Sequence, residues 1–320
     1  LPLSQSTGYK RAVINAGEIA KKGIEASLSF VPVKTKNFTW DASVNFAKND
    51  NEVVKLHDEV KDFELASARW ANASIYASEG QPYGVIVGKK LKRTEKGDVI
   101  FENGLPTFDD KVSVLGNGNY DFTLGFRNAF NYKNLSMSVL FDMKFGADIY
   151  SMSAMQSHVN GTSKETLEGR QEWYSSEQKR QSAGVPAGNW IATGGYVGKG
   201  VMAIKNDDGE MIYVPNNVCV DPAKYWQALQ TTSPEPFIYD NSFVKLREIS
   251  LSYNCPKKWF VHTPIESITL SAYGRNLLLI YSNVDNIDPE SSYNNGNGQG
   301  FEYGSLPSRR TFGFGINVKF

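Results

Sequence analysis

The sequence predicts an all-β fold, an antiparallel transmembrane β-barrel with long loops at one end. Three observations carry that expectation. Apolar and polar residues alternate with period two in segments spread along the chain, the links between segments alternate short and long, and the polar side of the alternation holds charges that a dry core would reject.

The segments can be taken in order. A less regular strand is expected over Tyr9 to Asn15. In GIEASLSFVPV, Ile24, Ala26, Leu28 and Phe30 oppose Glu25, Ser27 and Ser29. In FTWDASVNFAKN, Phe38, Trp40, Ala42, Val44 and Phe46 oppose Thr39, Asp41, Ser43 and Asn45. YDFTLGFRNAF sets Tyr120, Phe122, Leu124 and Phe126 against Asp121, Thr123, Gly125 and Arg127. LSMSVLFDMKF continues with Leu135, Met137, Val139, Phe141, Met143 and Phe145 against Ser136, Ser138, Asp142 and Lys144, with Leu140 the exception. None of these supplies the i, i+3, i+4 stripe of a helix.

FVKLREISLSY alternates through Val244 and Leu246, then changes phase to Ile249, Leu251 and Tyr253. One extra residue, a β-bulge near Arg247 and Glu248, would cause that shift. SITLSAYGRN sets Ile268, Leu270 and Ala272 against Thr269, Ser271 and Tyr273. TFGFGINVKF alternates from Thr311 to Phe320, with Phe312, Phe314, Ile316, Val318 and Phe320 on one side. About eight strands result.

Links near residues 33–38 and 131–134 are tight, 254–265 is moderate, and 50–118, 148–240 and 279–308 are long. Soluble sandwiches have no reason to segregate loop lengths, and structureless loops beyond roughly 12 to 15 residues are uncommon in them. Outer-membrane barrels do segregate them, with short periplasmic turns and long external loops. Asp41, Asn45, Arg127, Asp142 and Lys144 are at ease in a wet lumen, whereas a sandwich remains open only with its greasy face inward. Hairpin signals at Lys96-Gly97 and Asp208-Gly209 predict structure inside the long loops, and the Asn/Gly-rich SYNNGNGQGFEYG predicts turns.

Composition removes other classes. With 34 basic and 34 acidic residues the net charge is zero, so no overall field draws the chain to nucleic acid. Mean hydropathy is −0.38, and no apolar run reaches the roughly 18 residues of a spanning helix. The start, LPLSQSTGYK, lacks a signal-peptide pattern, so the chain is expected to be processed or truncated, with any export signal upstream.

The search for chemistry yields little, and no enzyme or cofactor is expected. His57, His158 and His262 are isolated and read as solvated loop residues, and nucleophile elbow, P-loop and dinucleotide fingerprints are absent from the sequence. Asp285, Asp288 and Glu290 in NVDNIDPE are candidate calcium ligands, against which the spacing lacks EF-hand order and its central Gly. Loop aromatics Trp70, Tyr76, Trp173, Tyr174, Trp190, Tyr196, Tyr225 and Trp226 are candidates for stacking on substrate or packing on a partner. The alternative is that they pack the loops together or form an interfacial girdle.

NAGEIAKKGIEASLSF, GNGNYDFTLGFRNAFNYKNLSMSVLFDMKFGADIY, NSFVKLREISLSYNCP, LSAYGRNLLLIYSNVDNIDPE and LPSRRTFGFGINVKF resemble, in that order, the C-terminal part of SusC-like TonB-dependent transporters of Bacteroidetes outer membranes. SFVKLREISLSY and GRNLL are the most diagnostic pieces. The resemblance implies a 22-stranded barrel with an N-terminal plug, a TonB-contacting segment and a SusD-like surface lipoprotein that captures glycan or peptide. Residues 1–320 then form one C-terminal barrel portion, with plug and TonB segment expected elsewhere. Partners implied are the rest of the barrel and its plug, the SusD-like lipoprotein, TonB and lipid.

With the last strand running towards the periplasm, loops at 16–22, 50–118, 148–240 and 279–308 lie outside, and turns near 35, 132 and 260 lie inside. Cys219 and Cys255 are then separated by roughly the ~25 Å apolar band, too far to bridge. Phe320 resembles the terminal residue by which barrel assembly is signalled. Two rival functions stay open: a small self-contained structural or adhesive barrel, and a soluble β-sandwich binding module.

Overall fold

A computed structural model describes residues 6, 8, 17–57, 60–67, 72–294 and 296–320. The strand expected over Tyr9 to Asn15 lies outside these residues. Seven long strands form one antiparallel sheet: β1 (Gly17–Lys34), β2 (Phe38–Leu56), β3 (Phe122–Tyr132), β4 (Leu135–Phe145), β5 (Phe243–Asn254), β6 (Ser267–Ser282) and β7 (Thr311–Lys319). Each pairs with its neighbour in chain order, so the sheet is a meander. The expected closed wall is therefore present as an open sheet, with β1 and β7 as its edges.

Period-two alternation becomes two unlike faces. Phe46, Leu124 and Met143 lie in register across three strands, as do Leu270 and Ile316, or Ala272 and Phe314, at the other edge. Among the described residues this face is left open: Leu28 is 62% exposed, Phe314 88% and Ile316 73%. The opposite face is polar and cross-linked by side chains. Ser27 donates to Asn45 at 2.8 Å, Arg127 to Ser138 at 3.1 Å, and Arg275 to Glu248 at 2.7 Å.

The bulge occurs where the phase change requires it. Leu140 pairs with Glu248 and Phe141 with Leu246, leaving Arg247 as the additional residue on β5. Val244 and Leu246 thus stay on the same face as Ile249, Leu251 and Tyr253. β1 and β2 run further than alternation indicates. Residues 17–22, expected as loop, belong to β1, and β2 reaches Leu56 because its upper half is paired rather than amphipathic.

The long connections fold into one body above the sheet. A four-stranded antiparallel sheet comprises Asp62–Ser67, Ser74–Ser78, Val85–Leu91 and Phe108–Asn117. A second joins Ile100–Glu102 and Leu105–Pro106 of the first connection to the hairpin Val201–Lys205/Met211–Pro215 of the second. A third joins Asp148–Ser151 and Ile238–Asp240 to Phe301–Glu302 of the last connection. Helices α1 (Met152–Val159), α2 (Arg170–Ser182) and α3 (Pro222–Thr232) complete the body. Its core holds Ile75, Ile86, Phe101, Tyr150, Trp226 and Phe301, drawn from all three connections. No helix among the described residues is long and apolar enough to cross a membrane.

Candidate functional site

The most concentrated charge on the polar face sits at the top of β4 and β5, where the loop body meets the sheet. Asp142 and Lys144 come from β4, Lys245 and Arg247 from β5, and Asp288 and Glu290 from the last connection. Lys245 Nζ donates to Asp288 Oδ1 at 2.6 Å and Glu290 Oε2 at 2.8 Å. Arg247 donates to Glu290 at 2.7 and 2.8 Å, to Asn276 Oδ1 at 2.8 Å, and to Asp142. The bulge is what allows Arg247 to reach three elements at once.

Further contacts fix the carboxylates. Asp288 accepts from the Ser308 backbone N–H at 2.7 Å and the Ser308 hydroxyl, while Asn241 Nδ2 donates to Pro289 O at 2.8 Å. Lys144 and Lys245 each lie over the Phe243 ring, at 5.8 and 5.3 Å. Burial would raise the Glu290 carboxyl pKa, but hydrogen bonds from Arg247 and Lys245 outweigh it and hold the pKa at about 2. Asp288 is likewise held well below the ordinary range: Lys245 and Ser308 outweigh its burial.

The three calcium candidates do not come together here. Asp288 and Glu290 carry lysine and arginine where a metal would sit, Asp285 is exposed and outside the cluster, and no group of metal-ligand residues occurs among the described residues. Sequence reading missed Lys245 and Arg247 as site residues. Their signal was present, since two cations in one amphipathic strand beside a phase change call for nearby anions.

Beside the clamp lies a cleft of about 380 Å³ lined by Lys245, Asp288, Ser153, Glu302, Ser308 and Arg310. Glu302, 1% exposed, accepts from Ser151 Oγ at 2.8 Å and from Ser153 N and Oγ at 3.0 and 2.7 Å, at the start of α1. A carboxylate there complements the helix dipole and orphan N–H groups. The cleft is open and of mixed character, with Leu278, Leu279 and Ile287 beside the charged and hydroxyl side chains.

The aromatic candidates separate. Trp226, 8% exposed, is core: its ring centroid lies 4.4 Å from His158 and 5.1 Å from Tyr225. Tyr225 is also buried, and burial pushes its phenol up. Tyr196, half-buried, packs at a tilt against Tyr225, ring centroids 4.4 Å apart. Trp190 is pinned by its indole N–H to Ser176 Oγ at 3.1 Å. Tyr76 is half-buried in the first loop sheet. Trp173, half-buried, and Tyr174, 58% exposed, line a second cleft, of about 460 Å³, with Asn160 and Asp221. Trp70 lies outside the described residues. Phe320 is 75% exposed.

His158 corrects the expectation of a solvated histidine. It is 6% exposed, with Nδ1 2.8 Å from Ala154 O and Nε2 2.7 Å from Glu165 Oε2. Ser163 Oγ also approaches Nε2, at 3.3 Å, so serine and carboxylate share one ring nitrogen and form no relay. Cys219 and Cys255 are free, half-buried residues of the loop body and the lower rim.

Comparisons with known proteins give a consistent picture. No family profile matches. The chain is 26% identical, over its whole length, to TonB-dependent receptor P3 of Formosa agariphila, and 26% identical over 99% of its length to receptor P26 of that organism. It is 27% identical over 39% of its length to TonB-dependent receptor SusC of Bacteroides thetaiotaomicron. The chain spans 30% and 31% of receptors P3 and P26. The solved RagAB peptide transporter superposes over the whole chain with a TM-score of 0.64 at 18% identity, covering 31% of the solved chain. The RagAB peptide importer in its open-open state gives 0.61. The resemblance to SusC-like TonB-dependent transporters thus holds along the chain, the fold is that of their all-β barrel, and the relatives are receptors and transporters rather than enzymes.

Proposed function

We propose that this chain is the C-terminal wall and external-loop portion of a TonB-dependent transporter that imports a bulky nutrient, glycan or peptide, across a bacterial outer membrane. The observation that carries the reading is the two-faced meander: an uncovered apolar face, a charged face, tight turns at one end and a folded loop body at the other. The match of the whole chain to 30% of TonB-dependent receptor P3 supports it.

In this reading the apolar face meets lipid, and the charged face lines the lumen beside a plug supplied by the rest of the protein. The loop body faces outward, where a SusD-like lipoprotein would hand over substrate. Tyr174, exposed, and Trp173, Trp190 and Tyr196, half-buried, are its candidate aromatic contacts for substrate or that partner. The clamp ties the last connection to the lumen wall and so sets how far the loops overhang the entrance. Phe320 is an assembly contact at the lower end of β7.

An uncovered apolar face speaks against a soluble sandwich, which would pack it on a second sheet. Among the described residues β1 and β7 do not pair with each other, which speaks against a small self-closed barrel of these seven strands alone. The test is uptake by cells whose full-length receptor gene is deleted and then restored. Candidate glycans and peptides should be imported only by restored cells with working TonB. Equal uptake without the receptor, or without TonB, would overturn the proposal.

A further inference from the structure

The lower rim of the sheet carries a charge pattern that import does not require. Lys34 ends β1 and Lys36 lies in the β1–β2 turn, the β3–β4 turn holds Lys133, and the β5–β6 turn Lys257 and Lys258, all exposed. The acidic residue in these turns is Glu266, already 2.9 Å from Lys319. None of the five lysines pairs with an acidic side chain among the described residues.

The turns are joined edge to edge. Lys133 N–H donates to Asn37 O at 2.9 Å, Asn254 N–H to Asn134 O at 2.9 Å, and Asn134 Nδ2 to Asn254 O at 2.7 Å. Immediately above runs a row of large residues in register, Phe38 with Tyr132 and Leu135 with Tyr253, which closes the apolar face. Tyr132 is 52% exposed and Trp259 63%; Lys133 Nζ sits 5.4 Å from the Tyr132 ring, and Trp259 lies 6.3 Å from Tyr253. Aromatic residues of this kind mark headgroup depth, and lysine stems reach from the apolar edge towards phosphate.

We propose that this rim is a binding surface for anionic phospholipid headgroups of the inner leaflet, the five lysines taking the phosphates of lipids whose acyl chains lie on the apolar face. The inference rests on the orientation given under Proposed function. Charge complementarity and the adjacent aromatic row select lipid over a soluble partner.

The test uses the full-length receptor in nanodiscs of equal phosphatidylglycerol and phosphatidylcholine, with tightly held lipid quantified by mass spectrometry. The wild type should retain phosphatidylglycerol preferentially, by up to about fivefold per lysine contact at low ionic strength, with the preference falling as salt is raised. Changing all five lysines to Gln should bring the ratio to that of the bulk. No preference in the wild type, or an unchanged preference in the variant, would overturn the proposal. A variant that keeps the preference but loses energised uptake would overturn it in favour of a periplasmic protein partner. Orientation is checked separately by Lys133→Cys in a full-length receptor whose native cysteines, Cys219 and Cys255 included, are changed to Ser. Labelling of intact cells by a membrane-impermeant maleimide would sink the orientation, whatever the lipid ratio.

Discussion

Replacing Glu290 with Gln should free the last long connection from the wall. The carboxylate accepts from Lys245 at 2.8 Å and from two Arg247 nitrogens at 2.7 and 2.8 Å, and these bonds hold its pKa at about 2 against an ordinary 4.5. Gln is the permanent counterpart of the protonated acid, so that displacement measures what the substitution removes. At about 1.4 kcal/mol per pH unit it is on the order of 3 kcal/mol. Amide hydrogen exchange over residues 284–294 of the full-length protein should then quicken by about 100-fold, while β4 and β5 change little. The same sign governs pH: the folded pKa is lowered, so the stabilisation is complete above about 4.5 and drains as pH falls towards about 2. Exchange within threefold of wild type at neutral pH would refute this account of the clamp.

Other expectations follow from the same geometry. Arg247→Met should loosen the same connection while leaving outer-membrane levels intact, and combined with Glu290→Gln it should add less than its separate effect, by about 1 kcal/mol or more in a double-mutant cycle read by exchange. Phe314→Arg, on the uncovered face, should cost about 2–4 kcal/mol of folding stability in bilayers if the site is near the midplane, whereas Asn45→Arg on the opposite face should cost under about 1 kcal/mol. Denaturant titrations of the refolded full-length protein compare the two. Phe320→Asp should lower the outer-membrane level with total expression preserved, and a normal surface level by flow cytometry would contradict its assembly role.

The wall was legible because a strand whose two faces are apolar and polar writes its period directly into residues such as Phe312, Phe314 and Ile316. Even the bulge at Arg247 was visible, since one extra residue shifts the phase of everything after it. The loop body was not legible. Its strands are two to ten residues long and its core is assembled from three connections, so Trp226 and His158 looked peripheral in sequence and are buried in space. The clamp was hidden for a related reason: Glu290 and Arg247 lie 43 residues apart, and NVDNIDPE alone shows only its carboxylates. Their countercharges sit on a strand whose pairing had first to be known.

The central claim is that one face of this meander meets lipid and the other water. Single cysteines placed along β7 in the full-length receptor, with all its native cysteines removed, test it directly through reaction with a water-soluble maleimide in a bilayer. Positions 311, 313, 315 and 317 should react, and positions 312, 314, 316 and 318 should be protected, in strict alternation. Uniform reactivity along the strand would contradict the claim.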